Sequence, residues 1–217
     1  MKRLLLIFAV FSALLSAKAQ LVQVGLTGDV AFLKQEDGKY LDGGNFDPDM
    51  GWSAGIKVKV SSAMGIGADA GLKFGKEENA YHAVGGSAEN LSGFSVEKTL
   101  TYVSLPVNAR YDFKLPGVAK ILIPYAFAGP EFRYNVDGFD LKAINKEYTT
   151  KDFLKENKLG WNLNFGFGVV LFKHLEVTYQ YSIRKTDPLE LKDTSVFKDI
   201  ESRYKSKTNN IGVTVYF

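Results

Sequence analysis

Beyond Gln20, apolar and polar positions alternate with period two, the spacing of β-strands whose side chains point to opposite faces. Eight segments carry the pattern. In the first, Val22, Val24, Leu26, Val30 and Phe32 oppose Gln23, Gly25, Thr27 and Asp29. The second sets Trp52, Ala54, Ile56, Val58 and Val60 against Ser53, Gly55, Lys57 and Lys59. The third sets Ile66, Ala68, Ala70, Leu72 and Phe74 against Gly67, Asp69, Gly71 and Lys73. The fourth runs from Tyr102 to Phe113, with Arg110 and Asp112 on its polar face. The sixth, seventh and eighth cover 160–171, 175–184 and 210–217, with Glu176 and Arg184 on the polar side of the seventh. The fifth is irregular. Ile121, Ile123, Tyr125 and Phe127 share a face, Gly129-Pro130 interrupts, and Phe132, Tyr134 and Val136 continue in the opposite phase, which predicts a bulge.

A soluble sandwich also alternates, so the content of each face decides. Outside the fifth segment the apolar faces carry no charge, and each segment is about 10 residues, enough for a tilted strand to cross hydrocarbon. Aromatics gather near the segment ends: Phe32, Trp52, Phe74 and Trp161 at one level, Tyr111, Phe113, Tyr125 and Phe217 at the other. Two such belts fit the two interfaces of a bilayer. Glycines (Gly25, Gly55, Gly67, Gly71, Gly166, Gly168, Gly212) collect on the polar face, where side chains of a narrow barrel converge. Long connections (34–50, 75–99, 137–158, 185–207) alternate with short ones (61–64, 114–120, 173–174). The pattern predicts an all-β, eight-stranded antiparallel up-and-down barrel in the bacterial outer membrane, with long loops outside and short turns in the periplasm.

The N-terminus bears on location. Lys2 and Arg3 precede an apolar run, Leu4 to Leu15, and Ala17-Lys18-Ala19 is a small-x-small cleavage site. Residues 1–19 read as a cleavable signal peptide and 20–217 as the barrel domain. The charge then changes meaning. The full chain of 217 residues carries +3, which on its own suggests a nucleic-acid partner. Taking Lys2, Arg3 and Lys18 from 27 bases leaves 24, equal to the 24 acids, so no nucleic acid is expected. Without cysteine there is neither a disulfide framework nor a thiolate metal site.

Tyr102-Val103-Ser104-Leu105-Pro106-Val107 and Pro124-Tyr125-Ala126-Phe127-Ala128-Gly129-Pro130 resemble the PorT-like outer-membrane β-barrel family. The closing Val213-Thr214-Val215-Tyr216-Phe217 looks like the strand that barrel-insertion machinery recognises. The resemblance spans the mature chain and implies fold and location. Some members assist protein secretion, and the family offers no catalytic residue to carry over.

Candidate chemistry is sparse. Of two histidines, His82 falls in the 75–99 connection near Glu77, Glu78 and Ser87, and His174 in a tight turn. No triad spacing is visible, and a solvated loop histidine is the expectation. Asp42, Asn45, Asp47 and Asp49 place four oxygen-bearing side chains in one loop; oxygen ligands suit Ca²⁺, but Asx and Pro at this density more often make tight turns. No cofactor or metal is expected. The polar face holds Asp29, Lys57, Lys59, Asp69, Lys73, Arg110, Asp112, Glu176 and Arg184. An eight-stranded barrel is just wide enough for its own side chains, so these charges must pair. A three-residue turn at Ser62-Ala63-Met64 would set Lys57 opposite Asp69 and Ser53 opposite Lys73. The expectation is a non-catalytic barrel whose partners are the outer-membrane bilayer, the insertion machinery and a protein or surface ligand held by the loops. Left open are a PorT-like component of a secretion or assembly complex, a small-solute porin, a hydrolase using His82, and a soluble lipocalin-like barrel.

Overall fold

A computed structural model describes residues 21–34, 50–85, 92–119, 121–136, 154–186, 189–191 and 207–217. The expected signal peptide 1–19, the acidic run 42–49 and Ser87 lie outside them. Ten strands follow in order: β1 (Leu21–Lys34), β2 (Met50–Ser61), β3 (Ile66–Gly85), β4 (Ser92–Asp112), β5 (Leu122–Asn135), β6 (Leu154–Glu156), β7 (Leu159–Leu171), β8 (Leu175–Arg184), β9 (Leu189–Leu191) and β10 (Lys207–Tyr216). Eight close into an antiparallel barrel in the order β1-β10-β8-β7-β5-β4-β3-β2, and β6 pairs with β9 as a separate two-stranded sheet.

Closure leaves no sheet edge within the wall, which is what a strand protein in hydrocarbon requires, since lipid offers no hydrogen bonds to an unpaired backbone. The large apolar side chains therefore point outward. Val22, Leu26, Ile56, Leu72, Leu105, Ile211 and Val213 are exposed, while the buried set is dominated by polar and charged residues. That is the inverse of a soluble barrel, and it excludes the lipocalin-like reading, whose apolar face would be buried.

Three short turns and both ends of the described chain share one end of the barrel. Tyr216 N donates to His174 O, Phe217 N to Val24 O, Phe172 N to Ile121 O and Asp112 N to Gly65 O. We call this the turn end and the opposite one the loop end. The turn after Leu171 has Phe172 and Lys173 both at positive φ (51° and 67°), the requirement of a primed hairpin turn met without glycine.

The first turn differs from expectation. Ser62 N donates to Ile66 O, so the loop is Ala63-Met64-Gly65, with Gly65 at φ 90°. Glycine is required there, because a Cβ would sit 2.2 Å from Asp112 O. Moving the loop by one residue moves the register by two. Lys57 lies opposite Gly71, Lys59 opposite Asp69, Gly55 opposite Lys73 and Ser53 opposite Gly75. A two-residue slip preserves the faces, so the inward set is unchanged.

Two further expectations are corrected. The 75–99 segment is mostly strand: β3 and β4 pair out to Gly85↔Ser92, and His82 lies in β3 opposite Ser95. The bulge in β5 does not occur either. Its register with β7 runs unbroken from Leu122↔Leu171 to Tyr134↔Leu159.

Candidate functional site: the lumen and the two ends of the barrel

The β5 register fixes which face is inward. Ala126, Ala128, Phe132 and Tyr134 point out; Tyr125, Phe127, Glu131 and Arg133 point in or lie partly covered. Tyr125, expected in the membrane-interface belt, is 1% exposed inside the barrel. The cause is its cross-strand partner, Gly168. A Cβ at Gly168 would meet the Tyr125 ring at 2.6 Å, so the missing side chain is what admits the ring. Phe127 covers Gly166 in the same way. The other seven aromatics expected at the interfaces point outward: Phe32, Trp52, Phe74 and Trp161 near the loop end, Tyr111, Phe113 and Phe217 near the turn end. Trp52 packs on Phe74 at 6.1 Å, and Tyr111 meets Phe113 edge-on at 5.0 Å.

Tyrosine over glycine recurs twice more. Tyr102 faces Gly75 on β3, and Tyr216 faces Gly25 on β1. Each of the three inward rings carries a cation on its other face: Arg110 over Tyr125 at 3.8 Å, Arg133 over Tyr102 at 4.0 Å, Lys59 over Tyr216 at 4.2 Å. Glycine, ring and cation form a stack three layers deep, filling a lumen too narrow for parallel side chains.

Among residues with described side chains, all six carboxylates (Asp29, Asp69, Glu77, Asp112, Glu131, Glu176) line the lumen. Six cations face them (Lys57, Lys59, Lys73, Arg110, Arg133, Arg184), so the described interior is formally neutral. Charge taken out of water is tolerable only when paired, and the pairing divides into two networks.

The turn-half network centres on Arg110 and Glu176, whose side chains are wholly buried. Arg110 Nη1 donates to Glu176 Oε2 at 2.8 Å, and Nε to Asp112 Oδ1 at 2.8 Å. Lys57 Nζ donates to Glu176 Oε1 at 2.7 Å and stands 3.6 Å from Asp69 Oδ2. Thus Lys57 and Asp69 meet diagonally although they are not opposite in register. Tyr216 Oη donates to Glu176, and Ser61 Oγ to Asp112.

The loop-half network centres on Glu77, which accepts from Arg133 Nη1 at 2.7 Å and from Arg184 Nη2. Arg133 Nε reaches Glu131 Oε1 at 3.4 Å, and Asn164 Nδ2 donates to Glu131 Oε2 at 2.9 Å. Nearer the middle, Lys73 Nζ and Ser53 Oγ both donate to Asp29 Oδ2, at 2.6 and 3.0 Å. The seven lumen residues named from sequence (Lys57, Asp69, Lys73, Arg110, Asp112, Glu176, Arg184) all lie in these networks. Glu77, Glu131, Arg133 and Tyr125 were missed. Glu131 and Arg133 held the clue: setting them inward would have turned Tyr125 and Phe127 inward too.

Little room remains. The space between the networks, lined by Asp29, Lys57, Asp69, Lys73, Asn108 and Gln180 among others, holds about 20 Å³, enough for a water or two. A space beside Glu77, Arg133 and Arg184 holds about 10 Å³. The two histidines are elsewhere: His82 is on the β3–β4 arm, and His174 Nδ1 lies 3.1 Å from Tyr216 O at the turn end.

Against known proteins, the family model described as outer membrane protein beta-barrel domain matches residues 4–217. Three solved structures have similar folds. The attachment invasion locus protein Ail of Yersinia pestis, crystallised with the heparin analogue sucrose octasulfate, is 11% identical, with 91% of this chain and 98% of that chain covered and a TM-score of 0.43. Neisserial surface protein A is 12% identical, with 92% and 100% covered and a TM-score of 0.43. The outer membrane protein OprG of Pseudomonas aeruginosa is 13% identical, with 91% and 95% covered and a TM-score of 0.41. No curated protein matches the chain.

Proposed function

Since the chain belongs to the outer membrane protein beta-barrel domain family and resides in the bacterial outer membrane, we propose that it is a closed, non-catalytic barrel presenting its loop end as a binding surface. The observation that carries this reading is the filled lumen. Six carboxylates and six cations occupy the described interior, and the space between the networks admits only water. A pore function has no room there, and a hydrolase would need an acid or base not already committed to an ion pair. The turns at the other end are only a few residues long, so the chain available for recognition lies at the loop end, which faces outside. The β3–β4 arm and the β6–β9 sheet belong to that end.

Capture from detergent extract tests this. Variants with 137–153 or 192–206 shortened to a Gly-Ser linker are expected to lose the partner that the full-length protein retains, while keeping its folded, heat-modifiable mobility. Equal capture by both variants contradicts a loop-end binding surface.

A second reading, a PorT-like component of a secretion or envelope-assembly complex, draws on the two segments that carry that resemblance. They lie on adjacent strands, β4 and β5, and supply Tyr102 and Tyr125, the rings beneath Arg133 and Arg110. Stable co-purification with periplasmic or outer-membrane proteins separates it from the first. In both readings β10, which closes the barrel against β1 and is followed by the outward Phe217, is the strand offered to the insertion machinery.

A further inference from the structure

Charges are sorted across the wall. Among residues with described side chains, the carboxylates are all inside, and the exposed or half-exposed charged groups outside are all lysines: Lys76, Lys158, Lys185 and Lys207 toward the loop end, Lys114 and Lys173 at the turn end. Three adjacent strands concentrate this charge at one place. On β10, Lys207 lies opposite Ile183 of β8. Two residues beyond Ile183, Lys185 N donates to the carbonyl of Trp161, an outward residue of the loop-end aromatic belt.

The same face carries an unusual polar group. Asn209 sits one outward position below Lys207 and opposite Phe32 and Tyr181. Tyr179 Oη donates to Asn209 Oδ1 at 2.7 Å. That bond occupies the amide's acceptor and fixes its orientation, leaving the Nδ2 donors with no acceptor among the described residues. A donor facing the lipid side is costly unless something at the headgroup level accepts from it. Ammonium groups, amide donors and an indole at one level fit a headgroup bearing phosphate above an acyl chain.

We propose that the loop-end rim of β10, β8 and β7, formed by Lys207, Asn209 and Lys185 beside Trp161, binds the phosphate of an outer-leaflet phosphoglycolipid. Lys185 and Lys207 supply charge, Asn209 Nδ2 donates to a phosphate oxygen, and Tyr179 positions the amide. The inference rests on the loop end facing outside, which is read separately by labelling single cysteines at 63 or 150 with a membrane-impermeant maleimide in intact cells.

The test is native mass spectrometry of the full-length folded protein in detergent, titrated with diphosphoryl lipid A and with its enzymatically dephosphorylated form. Wild type is expected to retain the phosphorylated lipid. Lys185→Gln with Lys207→Gln should weaken retention roughly thirtyfold, at about a factor of five per lysine. Lys114→Gln with Lys173→Gln, at the turn end, should leave it unchanged, and Tyr179→Phe should weaken it while both lysines remain. Heat-modifiable mobility checks folding of every variant. Equal binding of the dephosphorylated lipid, unaltered binding by the Lys185/Lys207 pair, or loss through the turn-end pair would each overturn the proposal. So would complete displacement of lipid A by inorganic phosphate at equimolar concentration, which would make the ligand a free anion.

Discussion

The two halves of the lumen solve one problem with different amounts of water. In the turn half, Arg110 and Glu176 are both wholly buried and bond each other, with Lys57 also donating to Glu176 and Arg110 also donating to Asp112. In the loop half, Arg133 and Arg184 keep a small exposed fraction and share Glu77 between them. Both halves stack a cation on a tyrosine on a glycine. The turn half lies beside the short turns and the two ends of the described chain, whereas the loop half opens toward the segments expected to do the binding. Burial decides what a broken pair costs. A charge left short of partners where water cannot reach is far worse than one near a mouth.

The largest expected effect follows from removing the sealed cation. Arg110→Met leaves the buried Asp112 without its cation and Glu176 with Lys57 alone, and should cost about 3–5 kcal/mol of unfolding free energy, read by urea titration in lipid vesicles. Pairing it with Glu176→Leu should recover part of the loss, since two apolar groups replace two charges; additive losses would contradict direct coupling. Next comes Gly168→Ala. Its Cβ would lie 2.4 Å from Val177 O and 2.6 Å from the Tyr125 ring, an overpacking worth about 1–3 kcal/mol. Arg133→Met in the loop half should cost less than Arg110→Met, about 1–2 kcal/mol, because the Arg133 side chain, unlike that of Arg110, keeps some contact with solvent. If it costs as much, the distinction between the halves fails. The smallest effect is expected for Gly160→Ala, whose Cβ would come no nearer than 3.6 Å to Thr186 and should change stability by less than about 0.5 kcal/mol.

Strand number, faces and the lumen hub were legible because period two is a direct record of which side chains meet lipid. Charge-free faces at Val22–Phe32 or Leu175–Ile183 admit one orientation. The record failed where both faces are apolar. On β5 the inward Tyr125 and Phe127 read as lipid-facing, because their justification lies in Gly168 and Gly166, some forty residues away. Register was misjudged by two because Gly65, not Met64, closes the first turn, a matter of backbone conformation that hydropathy does not carry. Glu77 was lost by ending the third strand at Phe74, since polar residues in strands that rise above the membrane no longer alternate. Cross-strand tyrosine–glycine pairs, once known as the filling of this lumen, would have corrected β5 from sequence.

The central claim is that paired charge closes the barrel and leaves function to its outer end. Planar-bilayer recording of the folded full-length protein tests it most directly. A baseline without discrete conductance steps is expected for wild type, with steps appearing only when Arg110 and Glu176 are both replaced by serine. Regular single-channel steps from the unaltered protein would contradict it.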